Sequence, residues 1–210
     1  MAQRRSTVLR KTKETQIRVV LNLDGRGRSR VRTGVGFLDH MLESWAKHGL
    51  FDLDLQAKGD LHIDVHHTNE DVGLALGQAF RKALGSKRGI RRFGWMAVPL
   101  DEALVRVALD VSGRPYLEET VACEKTSQML ERARVDSGKV RRDAYAFGDV
   151  RHFLRSFANE VGLNLNVCIE SGKDFHHVTE ALFKALGRSL GDATRIDPRV
   201  AGVASTKGNL

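Results

Sequence analysis

Hydrophobic and polar residues alternate regularly in two well-separated stretches of the chain. One stretch covers 15–23 and the other 103–111, and a period of two residues is typical of strands with one buried face. Apolar residues recur instead at intervals of three and four over 75–84 and 181–190, which predicts amphipathic helices. Shorter strands are predicted before these helices, at 51–55 and 163–167. The pattern therefore predicts a mixed α+β protein.

The order of the predicted elements repeats, and each copy opens on a histidine. His40 and His152 each lie on a predicted amphipathic helix. Each copy then continues through a strand, a glycine-containing turn, two adjacent histidines and a second helix. We predict an internally duplicated α+β unit, each copy a four-stranded antiparallel-rich sheet backed by two helices. The first repeat is placed in 1–90 and the second in 91–210, and together they form one functional domain. Residues 118–148 are charged and are predicted to be an insertion or extended loop.

Composition and charge narrow the expected cellular location and the expected binding partners. The 210 residues contain no apolar run near the ~20 residues that a membrane span requires, so no membrane partner is expected. The only cysteines, Cys123 and Cys168, offer no disulfide framework and favour a reducing, cytoplasmic location. The net charge of +8 is compatible with a nucleic acid, an acidic membrane, a phosphorylated metabolite or simply a basic surface. Because zinc-finger spacing and aromatic RNA-binding motifs are absent from the sequence, no nucleic-acid partner is expected.

Two copies of a His-His-x-x-Glu motif carry the clearest chemical signal. Residues four apart share one face of a helix, so His66 and Glu70 can chelate one ion, and the matching pair in the second copy can do the same. The second histidine of each motif lies about 100° further round the helix and should point at a neighbouring ion. With the opening histidines, each of two ions would receive three imidazoles and one carboxylate. The predicted metal ligands are His40, His66, His67, Glu70, His152, His176, His177 and Glu180.

The ligand types favour a catalytic metal site over a structural one. Closed structural zinc sites usually include cysteine, whereas mixed imidazole and carboxylate ligation suits manganese, iron or zinc in catalysis. His48 and His62 have no counterpart in the repeat. His62 is either a support for a ligand or substrate, or an ordinary strand histidine. Asp101 either orients a ligand or the substrate, or makes a structural hydrogen bond, and the sequence favours neither.

Several short motifs resemble those of one enzyme family, and they occur in that family's order over nearly the whole chain. The matching segments are Phe37-Leu-Asp-His-Met41, His66-His-Thr-Asn-Glu-Asp71, Asp101-Glu-Ala103, Ser112-Gly-Arg-Pro-Tyr116, Phe175-His-His-Val-Thr-Glu-Ala181 and Ser205-Thr-Lys-Gly208. The chain thus resembles the imidazoleglycerol-phosphate dehydratase family of histidine biosynthesis. The resemblance implies a duplicated α+β fold, two Mn²⁺ ions per active site, and a homo-oligomer of 24 subunits with active sites between subunits.

The resemblance also implies a reaction and further site residues. The reaction is that of a hydro-lyase, the removal of water from imidazoleglycerol phosphate to give imidazole-acetol phosphate. Glu14 matches the position suggested to move the proton. Lys184 also lies one helical turn beyond Glu180, on the face that carries the ligands. The positions that match phosphate or substrate contacts are Arg92, Arg114, Lys184, Ser205 and Lys207.

Three other functions compete with a dehydratase. A dinuclear metallohydrolase that acts on a phosphorylated metabolite through a bridging hydroxide would need similar ligands. A non-enzymatic module could use the metals only to join subunits. A basic nucleic-acid binder would explain the charge but not the duplicated histidine motifs.

Overall fold

Two four-stranded sheets, one from each half of the sequence, form the frame of the molecule. A computed structural model describes residues 4–135 and 145–208. The elements of the first half are β1 (Arg5–Lys11), β2 (Thr15–Asn22), β3 (Ser29–Arg32), α1 (Gly36–Gly49), β4 (Asp52–Gly59) and α2 (His66–Leu84). Those of the second half are β5 (Phe93–Leu100), β6 (Ala103–Asp110), β7 (Tyr116–Val121), α3 (Glu124–Arg132), β8 (Arg134–Val135), β9 (Tyr145–Ala146), α4 (Phe147–Val161), β10 (Asn164–Ser171) and α5 (Phe175–Thr194).

The two sheets have the same topology. The strand order is β1-β2-β4-β3 in the first sheet and β5-β6-β10-β7 in the second. All neighbours are antiparallel except the last pair of each sheet, in which β3 runs parallel to β4 and β7 runs parallel to β10. The predicted α+β fold, with duplicated, antiparallel-rich, four-stranded sheets and helices, is confirmed.

The segment predicted to be an irregular insertion, 118–148, has more regular structure than its sequence indicates. Its first four residues belong to β7, the counterpart of β3, and α3 and the short pair β8–β9 follow. The prediction is therefore wrong at 118–121, which belong to β7, and at 147–148, which begin α4. Helix α3 and the pair β8–β9 have no counterpart among the described residues of the first half, as an insertion requires, but they are regular elements and not a loop. Charged residues conceal these elements because α3 buries only Thr126 and Leu130. Residues 136–144 of the predicted insertion lie outside the described residues.

The helices pack between the two sheets and join the halves. Helices α1 and α2 lie on the first sheet, α4 and α5 lie on the second, and α1 packs on α5 as α2 packs on α4. Trp45 of α1 illustrates the shared core, since its ring contacts Phe51 at 4.8 Å and Phe157 of α4 at 6.1 Å between centroids. Among the described helices, none has the length and apolar character needed to cross a bilayer.

Two glycines allow the paired helices to approach closely. A Cβ atom on Gly187 of α5 would lie 2.4 Å from the backbone oxygen of Trp45 in α1. A Cβ atom on the matching Gly77 of α2 would lie 2.9 Å from the backbone oxygen of Phe157 in α4. The separation of the helices, and so of the side chains between them, depends on these small residues.

Candidate metal centre

Three predicted ligands meet where the N-terminal halves of α1 and α5 lie side by side. The Nε2 atom of His40 is 3.4 Å from Oε2 of Glu180, and the Nε2 atom of His176 is 3.2 Å from the same oxygen. One ligand atom from each of the three residues lies within 4.8 Å of the other two. We call these three residues the Glu180 cluster. They have the donor types and the convergence that a divalent transition metal requires.

A related group lies between α2 and α4. His66 Nε2 is 3.5 Å from Oε2 of Glu70, and the rings of His66 and His152 are 4.7 Å apart between centroids. We call these three residues the Glu70 cluster. Within the described part of the chain, only the Glu180 cluster has three ligand atoms that all lie within 4.8 Å of one another, so the Glu70 cluster is the looser of the two.

Each cluster combines the two halves of the chain. His40 comes from the first half but joins the pair on α5, and His152 comes from the second half but joins the pair on α2. This exchange follows from the packing of α1 on α5 and of α2 on α4. The predicted ligand set therefore separates into two three-residue clusters and two remaining histidines, His67 and His177.

The two remaining histidines are each held by a carboxylate that the sequence analysis did not identify. His67 Nδ1 lies 3.0 Å from Asp60 Oδ2, and His177 Nδ1 lies 2.9 Å from Glu102 Oε2. These hydrogen bonds raise the pKa of each histidine above its ordinary value. The hydrogen bond from His177 likewise lowers the pKa of Glu102 to about 2. With Nδ1 engaged by a carboxylate, Nε2 is the ligand atom that remains, an arrangement common in metal-binding histidines.

Local structure fixes both histidine pairs in the first turn of a helix. Asp174 caps α5 by accepting hydrogen bonds from the backbone N–H groups of His176 and His177, and Asp64 accepts one from the N–H of His66. Aspartate is favoured at such positions because it satisfies helix donors that have no partner within the helix. Asp174 is the N-cap of α5, whereas Asp64 precedes Val65, the N-cap of α2. Both aspartates thus hold a histidine pair at the start of its helix.

A glycine at the end of the strand that precedes each helix allows strand and helix to lie in close contact. A Cβ atom on Gly59 would fall 1.9 Å from Oγ1 of Thr68, and one on Gly172 would fall 2.1 Å from the Val178 side chain. The same contact therefore recurs in both halves. This repeated contact supports the prediction that the glycine-containing turn belongs to the duplicated unit.

The immediate environment of the Glu180 carboxylate includes a cation. Lys184 Nζ lies 2.9 Å from Oε1 of Glu180. Partial burial opposes ionisation of Glu180, but the Lys184 hydrogen bond and charge, together with His40, lower its pKa below the ordinary value. Lys184 therefore lies beside the Glu180 cluster, apart from the other predicted phosphate-binding residues.

The other four predicted phosphate-binding residues line one pocket of about 450 Å³. Arg92, Arg114, Ser205 and Lys207 all contribute to it, with Ser112. Arg92 is fixed by Asp110, to which it donates at 2.7 and 2.9 Å, and by the backbone oxygen of Ala204 at 2.9 Å. Among the described residues, neither Arg114 nor Lys207 forms a salt bridge. The pocket therefore offers two cationic side chains to an anion.

The two hairpin turns carry acidic residues next to His67 and His177. Glu14, between β1 and β2, has Oε2 4.0 Å from Nδ1 of His67. Asp101, between β5 and β6, has Oδ2 3.8 Å from Nε2 of His177, while the neighbouring Glu102 makes the closer hydrogen bond. The Asp-Glu dipeptide was the available sequence signal, but only the fold distinguishes the orienting residue from its neighbour.

The two histidines without repeat partners lie outside both clusters. His62 is exposed in the turn between β4 and α2, so its interpretation as a strand histidine is wrong. His48 lies in the last turn of α1. Its pKa is lowered by burial and by the charges of Lys184 and Arg188.

The fold and its two His-Glu clusters define a duplicated α+β protein that gathers potential metal ligands from both halves of its sequence. Residues 33–190 match the sequence family described as imidazoleglycerol-phosphate dehydratase. The chain is 52% identical over 209 residues to the imidazoleglycerol-phosphate dehydratase of Acetivibrio thermocellus, covering 99% of each protein. It is 51% identical over 210 residues to that of Gluconacetobacter diazotrophicus, covering 99% of this chain and 98% of the relative.

Solved structures agree. The crystal structure of imidazoleglycerol-phosphate dehydratase from Staphylococcus aureus matches with a TM-score of 0.73 and 32% identity, over 92% of this chain and 99% of that chain. That of the Pyrococcus furiosus protein matches with a TM-score of 0.74 and 32% identity, over 97% of this chain and 100% of that chain. The chain belongs to the imidazoleglycerol-phosphate dehydratase family.

Proposed function

We propose that this protein removes water from imidazoleglycerol phosphate to form imidazole-acetol phosphate in histidine biosynthesis, with two divalent metal ions, Mn²⁺ by preference. Family membership over nearly the full chain supports this reaction and does not favour the metallohydrolase alternative. The observation that carries the metal requirement is the pair of His-Glu clusters, which the fold assembles from opposite halves of the sequence. The free thiols Cys123 and Cys168 support a cytoplasmic location.

The chain's own residues would hold one ion in each cluster. His40, His176 and Glu180 would ligate one ion, and His66, Glu70 and His152 the other. Bound divalent ions supply Lewis acidity, which stabilises negative charge on the substrate imidazole during the reaction. In each cluster the carboxylate already lies within 3.5 Å of a histidine nitrogen, so only small side-chain movements separate the observed arrangement from ligation.

Binding the substrate also requires an anion site and a proton carrier. The pocket lined by Arg92, Arg114 and Lys207 fits a phosphate, for which arginine and lysine are the usual partners. Glu14 is the proton carrier in this proposal: its carboxylate is half-exposed at a hairpin tip, close to His67, and it takes part in neither cluster. In the dehydration step Glu14 takes a proton from a substrate carbon and passes it to the departing hydroxyl group, so that water leaves and a carbon–carbon double bond forms. The resulting enol then tautomerises to imidazole-acetol phosphate.

His67 and His177 support an active site shared between subunits. Each ring is oriented by a carboxylate at Nδ1, yet neither belongs to the three-residue clusters of its own chain. The Nε2 atoms therefore suit ions held by another copy of the chain, which would complete three histidines and one glutamate at each ion. This arrangement requires a homo-oligomer, and we propose the 24-subunit assembly that the family resemblance implies.

Turnover measured against metal content tests the proposal. The purified protein, stripped with a chelator, should lose activity towards imidazoleglycerol phosphate and regain it on addition of Mn²⁺. Metal-reconstituted protein that forms no imidazole-acetol phosphate at any pH would reject the dehydratase function. Release of inorganic phosphate from the same substrate would instead favour the metallohydrolase.

A further inference from the structure

The repeat places a lysine next to one metal-binding carboxylate and a leucine next to the other. Counting from the first histidine of each motif, Lys184 of α5 corresponds to Leu74 of α2. Lys184 Nζ lies 2.9 Å from Glu180, with 19% of its side chain exposed. Within the described residues, Glu70 forms an ion pair with His66 and with no lysine or arginine. The two clusters therefore differ in the charge next to their glutamates: a lysine lies beside Glu180 and an apolar leucine occupies the matching position near Glu70.

Two further positions extend the asymmetry in the same direction. One turn beyond Lys184, Arg188 of α5 corresponds to the neutral Gln78 of α2. On the partner helices, Asp149 precedes His152 by three residues, whereas Phe37 precedes His40 by three. Asp149 lies against the Glu70 cluster's helix, because its backbone oxygen accepts a hydrogen bond of 2.8 Å from Asn69. The Phe37 ring instead lies 5.5 Å from that of His176.

We propose that the two centres bind divalent metal with unequal affinity and fill in order, the Glu70 centre first and the Glu180 centre second, because Lys184 competes for Glu180. This inference rests on the proposed function, which assigns a metal to each cluster. The difference in metal affinity between the two centres can be measured separately from turnover.

Competition and repulsion act together at the Glu180 centre. An ion that takes Glu180 as a ligand must displace the ammonium group of Lys184 from the carboxylate or tolerate it nearby. Like charges a few ångströms apart repel strongly where side chains are partly shielded from water. The Glu70 centre carries neither burden. The ligands of the Glu70 centre are less closely gathered, but ordering exposed side chains costs less than bringing a divalent ion close to the Lys184 ammonium group.

Calorimetric titration of the metal-free, full-length protein with Mn²⁺ tests the order of filling. The wild type should show two classes of site, equal in number, whose affinities differ on the order of tenfold or more. Glu70→Gln should weaken or remove the tighter class, and Glu180→Gln the weaker class. Electron paramagnetic resonance of unbound Mn²⁺ gives an independent count at each point of the titration.

The repeat itself provides a matched pair of variants. Lys184→Leu gives the Glu180 centre the residue found beside the Glu70 centre, and should strengthen the weaker class about tenfold while leaving the tighter class unchanged. Leu74→Lys makes the reciprocal change and should weaken the tighter class. Leu74 and Lys184 are both half-buried, so each replacement enters a comparable environment. The double variant should reverse the order of filling.

The outcomes separate this inference from the proposed function. Two classes of equal affinity in the wild type, or a Lys184→Leu variant that binds both ions as the wild type does, would overturn the inference alone. A wild-type protein that binds no Mn²⁺ would overturn both. If Lys184→Leu fails to fold, as judged by its circular dichroism spectrum, Leu74→Lys alone decides, since an unchanged tighter class in that variant contradicts the role of the lysine.

Discussion

At the scale of single residues, Glu14 is distinguished from the other acidic residues of the site by its freedom from both clusters. Replacing it with glutamine removes the proton acceptor but no proposed ligand. We expect Glu14→Gln to bind metal normally and to lose about 10²- to 10⁴-fold in kcat, as is usual when a general base is removed. Kinetics and metal analysis of the same preparation measure both effects. Glu131→Gln, an exposed change on α3, is the control and should leave both unchanged.

The carboxylate of Glu102 controls the protonation of His177 in the metal-free protein. Their hydrogen bond raises the pKa of His177 above 6.5. The contribution of His177 to the stability of the fold is therefore complete below pH 6.5 and is lost as pH rises through the raised pKa. The same hydrogen bond lowers the pKa of Glu102 from 4.5 to about 2. The contribution of Glu102 to the stability of the fold is therefore complete above pH 4.5 and is lost as pH falls towards 2. The pair therefore stabilises the fold most between about pH 4.5 and 6.5.

Glu102→Gln should lower the pKa of His177, because a neutral amide cannot favour the imidazolium as a carboxylate does. Proton NMR titration of the histidine rings in the metal-free protein measures the change. Asp60→Asn serves as the matched control and should lower the pKa of His67 while leaving that of His177 in place. A His177 pKa that is equal in wild type and Glu102→Gln would contradict the assigned hydrogen bond.

The sequence predicted the helical chelate pairs but not their orienting partners. The spacing of His176 and Glu180 is local, and helix geometry alone brings them to 3.2 Å. By contrast, Glu102 reaches His177 across 75 residues of sequence, through the folding of the β5–β6 hairpin against the start of α5. No periodicity encodes such a contact, since acidic residues in turns are common for other reasons.

At the scale of elements, the approach of α1 to α5 depends on Gly187. An alanine there would place its Cβ atom against the backbone oxygen of Trp45, which cannot rotate away as a side chain could. We expect Gly187→Ala to lower the free energy of unfolding by about 1–2 kcal/mol, since overpacking outweighs the gain in helix propensity. Separating these helices should also weaken metal binding at the Glu180 cluster. Chemical denaturation and Mn²⁺ titration measure the two effects.

Gly148 in the first turn of α4 provides the contrasting control. A Cβ atom added there would meet nothing within 4 Å, and the residue is exposed. Gly148→Ala should therefore leave the fold unchanged or stabilise it by about 0.4–1 kcal/mol, by restricting the unfolded chain. If Gly187→Ala behaved in the same way, close helix packing would not be what sets the distance between His40 and His176.

Two of the strands that the sequence pattern did not identify, β3 and β7, share a lack of burial. β3 buries only Val31, and no residue of β7 is fully buried, so neither strand shows the alternation that identified β2 and β6. Both lie at a sheet edge and pair in parallel with one neighbour. A strand is recognised in a sequence by the alternation of buried apolar and exposed polar residues. An edge strand whose one face is only half covered shows little of this alternation.

At the scale of the whole molecule, duplication alone does not produce a site within each half. The repeat predicts which side chains serve as ligands, but the packing of helices from opposite halves decides that His40 joins Glu180 and His152 joins His66. The pairing of α1 with α5 results from apolar faces and glycines spread over both halves, and local patterns do not reveal it. Each chain thus holds two clusters that, in the proposed function, a second chain completes.

Completion of those clusters by a second chain can be tested by mixing inactive subunits. His67→Ala/His177→Ala removes only the two carboxylate-oriented histidines, and His40→Ala/His152→Ala removes only the opening histidine of each cluster. We expect each variant to be inactive alone. If ligands come from two chains, a mixed oligomer contains sites with clusters from the first variant and oriented histidines from the second.

Such hybrid sites carry every ligand, so activity should reappear after the two variants are dissociated and reassembled together, with a maximum near equal proportions. Reassembly of each variant with itself is the control and should remain inactive. If all ligands of an ion came from one chain, every site in the mixture would still lack a histidine. Activity would then stay absent at all ratios, and the oriented histidines would need a role within their own subunit.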